Sequence, residues 1–139
     1  MLYTSAQDDL FTVVIDFLSS ARREILLCSY LLTMPAILAE LVKARRRGCD
    51  VRVLLANDDR NKPVRDFLRM NGIDARLSAR PRGILHAKYV IADRRALLAT
   101  TNFTHDAMNN NYEVAYIVTK RRDVEKLRQS FHMEYRLSS

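Results

Sequence analysis

The sequence predicts an α/β fold, a mixed and largely parallel β-sheet flanked by helices on both faces, on three observations. Short apolar runs without helical period alternate with longer stretches of period 3.6. In the first half, one run, one helix and a second run follow at the spacing of a βαβ unit, which demands parallel strands and a right-handed crossover. Finally, 139 residues with 48% hydrophobic content, 3 Gly and 3 Pro suit one domain spanning residues 1–139 and leave no tract for a linker or a disordered region.

The elements follow in order. Leu10, Val13, Val14, Phe17 and Leu18 recur at helical spacing, so a first helix is expected from Ser5 to about Arg22, with Ser5 as its cap and Asp8 and Asp9 in the first turn. Glu24 to Leu32 reads as a strand buried on both faces. Pro35 opens a second helix that runs to the basic Arg45–Arg47 and closes at Gly48. Asp50 to Ala56 is a second buried strand, Asn57 to Asn61 a polar turn, and Pro63 to Met70 a third helix stopped by Asn71-Gly72. Ile73 to Leu77 is a short strand, followed by a loop rich in Arg, Pro and Gly over residues 79–83. Ile84 to Ala92 alternates in period two, which puts His86 and Lys88 on one face of one strand. A tight turn at Asp93-Arg94-Arg95 leads into Ala96 to Thr101; Glu113 to Val118 is the last strand, and a helix from about Arg122 to Tyr135 ends the chain.

Lys and Arg total 23 against 16 Asp and Glu, a formal charge of +7, which favours an anionic partner, nucleic acid before an anionic membrane surface. Cys28 and Cys49 form no C-x-x-C pair and read as buried thiols of a reducing compartment. No basic start followed by an apolar stretch is visible and no apolar run reaches the ~18 residues of a membrane span, so a cytoplasmic location is expected.

Chemistry concentrates in His86-Ala87-Lys88, Asp93, Ala99-Thr100-Thr101-Asn102 and Asn111-Tyr112-Glu113. Alone, His86 would be read as a satisfied core histidine, Lys88 as a surface cation and Asp93 as the start of a hairpin turn. Together, an imidazole and an ammonium aimed at one volume, with hydroxyl and carboxamide donors from the next strand, suit a phosphate: its oxygens need several donors and a cation, and imidazole can attack phosphorus or pass a proton. Asp93 lies seven residues from His86, about 23 Å at ~3.3 Å per residue, too far for direct participation and better placed to stabilise its turn.

This pattern resembles the phospholipase D superfamily, whose signature is H-x-K-x4-D followed by a Gly-Ser step and an Asn. His86, Lys88 and Asp93 match its first part, Asn111 and Glu113 resemble its downstream N-x-E, and the order of elements is similar over nearly the whole chain. The Gly-Ser step departs: anchoring on Asn102 puts Ala99-Thr100 there, and anchoring on spacing puts Thr100-Thr101 there, so either threonine could replace the serine. The resemblance implies a two-histidine phosphodiesterase reaction with a phosphohistidine intermediate and no metal or other cofactor. His86 would be nucleophile in one copy and general acid in another, Lys88 and Asn102 would hold the non-bridging oxygens with Thr100 or Thr101, and Glu113 would accept a hydrogen bond from the far nitrogen of His86. The chain holds one copy of the motif, and neither His105 nor His132 has a Lys two positions on. Two chains must then share one active site, as in the single-motif endonucleases of the superfamily, and homodimerisation is expected.

The motif sets the bond class and leaves the substrate to size and charge. Length and basicity resemble the nucleases of the family, with Arg80, Arg82, Arg94 and Arg95 expected in loops flanking the motif strand where a DNA or RNA backbone would pass. A membrane partner is not expected. The alternatives are a phospholipid phosphodiesterase of the cardiolipin type and a catalytically lapsed nucleic-acid-binding or dimerisation module, the latter suggested by the altered Gly-Ser step.

Overall fold

A computed structural model describes all 139 residues. Seven strands form one sheet in the order β1-β7-β6-β5-β2-β3-β4, with β1 Leu2–Thr4, β2 Glu24–Ser29, β3 Asp50–Leu55, β4 Asp74–Leu77, β5 Tyr89–Ala92, β6 Arg95–Ala99 and β7 Val114–Val118. Five α-helices accompany them: α1 Leu10–Ser19, α2 Pro35–Arg46, α3 Lys62–Met70, α4 His105–Asn110 and α5 Arg121–Arg136. The β2-α2-β3-α3-β4 half is parallel, as the apolar runs and helical spacings predict. The β5-β6-β7 half is an antiparallel meander, β1 adds to it antiparallel, and β5 joins β2 antiparallel. The sheet is therefore mixed as expected, but antiparallel pairings outnumber parallel ones. The β5–β6 link is a tight turn over residues 93–94, too short for a parallel crossover, and the longer link over residues 100–113 returns β7 antiparallel beside β6.

Helices cover both faces unequally. Leu10, Val14, Phe17 and Leu18 of α1, Ile37 and Leu41 of α2, and Val64 and Leu68 of α3 pack on Ile25, Leu27, Val51, Val53 and Val90 in one core. On the other face, α5 alone places Val124, Phe131 and Tyr135 against Leu26, Leu54, Tyr89 and Ile91. That leaves the cross-strand row Leu2, Tyr116 and Leu98 exposed. No helix is long and apolar enough to cross a membrane. Both cysteines are buried and unpaired, and burial pushes the Cys28 thiol up to about 12.

Several boundaries differ from expectation for physical reasons. The first helix starts at Leu10, capped by the Asp9 carboxylate accepting from the Phe11 N–H. Ser5 is not its cap: its hydroxyl accepts from the Glu113 N–H and donates to the Asn111 carbonyl. The expected strand from Ile84 is hydrogen-bonded as a strand only from Tyr89, because residues 84–88 extend beyond the end of β2, whose Cys28 already pairs with Tyr89. Strand β1 and helix α4 are additional elements, the first a three-residue strand that β7 holds in register, the second capped by the Thr104 hydroxyl.

Asp93 occupies the β5–β6 turn in the left-handed region at φ 55°. Its carboxylate accepts from three backbone N–H groups, those of Arg22 at 2.9 Å, Arg23 at 2.9 Å and Glu24 at 3.0 Å. It thereby ties the start of β2 to the end of β5. Partial burial alone would raise this carboxyl, but the three donors outweigh burial and hold it below its ordinary 3.8. A depressed carboxyl contributes stability that is present above its unfolded value and lost as the pH falls through the folded value. Asp93→Asn, which keeps the left-handed turn accessible, should lose about 1–2 kcal/mol at pH 7 for a partly exposed charge-assisted cluster. In urea unfolding the gap to wild type should narrow as the pH drops below 3.8; a gap unchanged at low pH would show that the carboxylate charge is not the cause.

Candidate phosphate-binding site

One end of the sheet collects the chemistry. There β2 runs out into Tyr30, residues 84–88 lead into β5, β6 runs out through Thr100, Thr101 and Asn102, and Glu113 leads into β7. The Ala99 N–H donates to the Lys88 carbonyl at 3.0 Å, extending the β5–β6 ladder one step and fixing the two segments side by side.

His86 is exposed and Lys88 half-buried. Lys88 Nζ stands 3.1 Å from His86 Nδ1 and 3.4 Å from Nε2, so period two does aim both groups at one volume. An ammonium only donates, and the ring nitrogen facing it must be an unprotonated acceptor. Lys88 has no carboxylate within ion-pair distance. Desolvation holds it below the usual lysine range, and Glu113 pulls in the opposite direction from farther off. The His86 ring is also met by Tyr30, centroid to centroid 5.1 Å at 41°. Tyr30 is in turn held by Asn61, fully buried, whose amide donates to the Tyr30 carbonyl at 2.8 Å and to the Ala56 carbonyl at 3.0 Å. Sequence reasoning passed over Tyr30 and Asn61 because they lie far from the motif in the chain; the polar turn containing Asn61 was the only trace.

The two threonines separate. Thr100 is exposed; its hydroxyl donates to Glu113 Oε1 at 2.8 Å and accepts from the Val114 N–H at 2.9 Å. Thr101 is fully buried with its hydroxyl on the Asn102 carbonyl at 2.8 Å. The Glu113 carboxylate thus lies against Thr100, with Asn111 Nδ2 at 3.4 Å from its other oxygen, instead of against His86 as the resemblance implies. Ser5 locks the backbone on either side of Tyr112 and so sets where Glu113 points. Asn102 carries a buried side-chain oxygen with no partner, a costly condition for a buried acceptor.

The four arginines divide between the two ends of the sheet. Arg80 lines a cavity with Tyr30, Asn57 and Leu85 next to His86, paired to Glu134, and Arg82 is exposed on the same loop. Arg94 and Arg95 lie in and after the Asp93 turn, at the opposite end. All four do lie in segments flanking the motif strand, and the length of that strand carries Arg94 and Arg95 away from His86.

Because Lys88 is partly desolvated and unpaired, its charge costs the empty protein stability. Solvent screening keeps that cost small, so Lys88→Met should leave Tm unchanged or slightly raised while removing the cation from the site. A lower Tm for this variant in calorimetry would refute the account of Lys88 as an unsatisfied charge.

Against known proteins, the family model described as "Cardiolipin synthase, PLD-like domain" matches residues 14–135. A search of curated proteins by sequence finds no match. Among solved structures, the fold is similar to the phospholipase D family member Nuc from Salmonella typhimurium, with TM-score 0.91, 22% identity, and coverage of 100% of this chain and 95% of that one. It is also similar to NucT from Helicobacter pylori, TM-score 0.87, 20% identity, 99% and 96% covered, and to a phosphatidylserine synthase from Haemophilus influenzae, TM-score 0.78, 13% identity, 96% and 38% covered. The family model runs from the middle of α1 nearly to the end of α5 and takes in His86, Lys88, Asn102 and Glu113, so the chain belongs to the phospholipase D superfamily.

Proposed function

We propose that this protein is a phosphodiesterase that hydrolyses the backbone of DNA or RNA as an endonuclease, without a metal ion, through an active site completed by a second copy of the chain. The observation that carries the reading is the contact of Lys88 Nζ with the His86 ring at 3.1 Å, a cation and a nucleophile sharing one accessible volume with no carboxylate between them. Such a pair is incomplete until an anion arrives. A phosphodiester supplies it: Lys88 takes one non-bridging oxygen, and the Asn102 amide N–H on the adjoining segment takes the other.

The reaction then has two halves. A nitrogen of His86 attacks phosphorus, the P–O bond to the leaving group breaks, and that oxygen takes a proton from His86 of the second copy. Water next attacks the phosphohistidine; its proton passes to the imidazole of the second copy, the P–N bond breaks, and both rings return to their starting state. Thr100 gives its one hydroxyl proton to Glu113, and with Asn111 it holds that carboxylate at the edge of the site. Asp93 and Thr101 keep structural places. The resemblance in fold to Nuc and NucT, together with a charge of +7, favours nucleic acid over lipid. The cardiolipin synthase description of the matched family and the phosphatidylserine synthase fold support the competing lipid reading.

Labelled DNA, RNA and cardiolipin incubated with the protein in EDTA should show cleavage of nucleic acid, and His86→Ala should reduce it by at least ~10³-fold. A requirement for divalent metal, survival of activity in His86→Ala, or cleavage of cardiolipin alone would overturn the reading. Titrating wild type with His86→Ala at constant total protein should lower activity as the square of the wild-type fraction, since mixed dimers lack one imidazole; a linear fall would refute the shared site. Thr100→Val should depress turnover with little change in Tm, whereas Thr101→Val should act chiefly on stability.

A further inference from the structure

At the end of the sheet opposite His86 there is a cavity of about 660 Å³ walled by Arg22, Arg23, Arg94, Arg95 and Arg128. A second cavity of about 380 Å³ adjoins it, sharing Arg94 and adding Arg121. The acidic groups there are already occupied. Asp93 is saturated by three backbone N–H groups, and Glu24 and Glu125 both pair with Arg128. Four guanidinium groups of the larger cavity therefore form no ion pair, and with Arg128 they outnumber its carboxylates, of which Asp93 attracts Arg23 from a distance. Two of them are held in place: Arg95 donates to the Ser20 hydroxyl at 3.0 Å and lies 5.0 Å over the Phe17 ring, and Arg22 donates to the Ser19 and Ala21 carbonyls at 3.0 and 3.2 Å. Arg23 and Arg94 reach into the same space.

Fixed, unpaired cations in a concave site repel one another until an anion binds, and guanidinium forks match phosphate oxygens. We infer that this cavity is a second site for nucleic-acid backbone, separate from the catalytic end and binding phosphates remote from the cleaved bond. The inference rests on the nuclease reading for the identity of its ligand. The seven residues from His86 to Asp93 set the separation at about 23 Å. At the duplex rise of ~3.4 Å per nucleotide, the two sites lie about seven nucleotides apart along one strand.

The test measures binding by fluorescence anisotropy, on His86→Ala protein so that nothing is cleaved, with a 30-nucleotide and a 4-nucleotide DNA. Adding Arg23→Gln and Arg94→Gln should weaken binding of the 30-mer about tenfold and reduce the slope of log affinity against log salt by roughly 1.5–2, with no change for the 4-mer. A charge-matched control, Lys62→Gln with Arg136→Gln, should leave both unchanged. Equal losses in control and test variants would reduce the effect to overall charge and overturn the site, as would an unchanged 30-mer affinity. Vesicles containing cardiolipin form a separate arm: loss of vesicle binding in Arg23→Gln/Arg94→Gln with DNA binding intact would assign the cavity to a lipid surface and overturn the proposal. If no oligonucleotide binds even to the parent protein, the nucleic-acid reading of the catalytic site fails first, and the cavity proposal with it.

Discussion

Four residue pairs between β2 and β5, from Ile25 with Ala92 to Cys28 with Tyr89, join the parallel half of the sheet to the antiparallel half, and the positions of both functional ends follow from that seam. Where it stops at Cys28 and Tyr89, both strands lose this pairing, so Tyr30 and the segment carrying His86 and Lys88 emerge together and the two rings come within 5.1 Å. Where it begins, Asp93 takes the N–H groups of Arg22, Arg23 and Glu24. A slip of one residue would exchange the faces of every side chain on β5, taking Val90 out of one core and Ile91 out of the other. The register is thus fixed by burial on both sides of the sheet.

The His86 end differs from the closely paired charges of the sheet's parallel half. Asp58 with Arg60 and Asp74 with Arg76 are closely paired, and Asn61 uses both ends of its amide, donating to two carbonyls and accepting from the Leu32 N–H. At the His86 end, by contrast, Lys88 lacks a counter-ion. A group left unsatisfied in the empty protein can gain more from a ligand than one already paired, because binding then removes a cost instead of exchanging one bond for another. Supporting residues around it are fully engaged: Asn61 behind Tyr30, Ser5 behind Glu113, and Thr101 beneath Asn102. Rigid surroundings with unsatisfied contact groups are the condition for a preorganised oxyanion site.

The net charge of +7 is also ordered by the fold. Arg80 and Arg82 stay with His86, while Arg22, Arg23, Arg94 and Arg95 gather at the other end of the same strands. A strand of four ladder residues with extended flanks is long enough to hold the two groups apart.

By itself the sequence determined much of the frame and the heart of the site. Mostly apolar runs of nine and seven residues marked β2 and β3, whose faces are both covered, and the short alternating run at Ile73 to Leu77 marked the edge strand β4. Two-residue spacing put His86 beside Lys88, because an extended backbone allows little else. Other features depend on partners distant in the chain. Strand β1 is three residues long and exists through β7, and α4, HDAMNN, has no periodicity and depends on the Thr104 cap. Thr100 and Thr101 are chemically alike, and only the end of β6 turns one toward Glu113 and buries the other. The places of Tyr30, of Glu113 on Thr100, and of Arg94 and Arg95 away from His86 were likewise decided by strand order and by where each strand stops, which are long-range properties that local pattern does not contain.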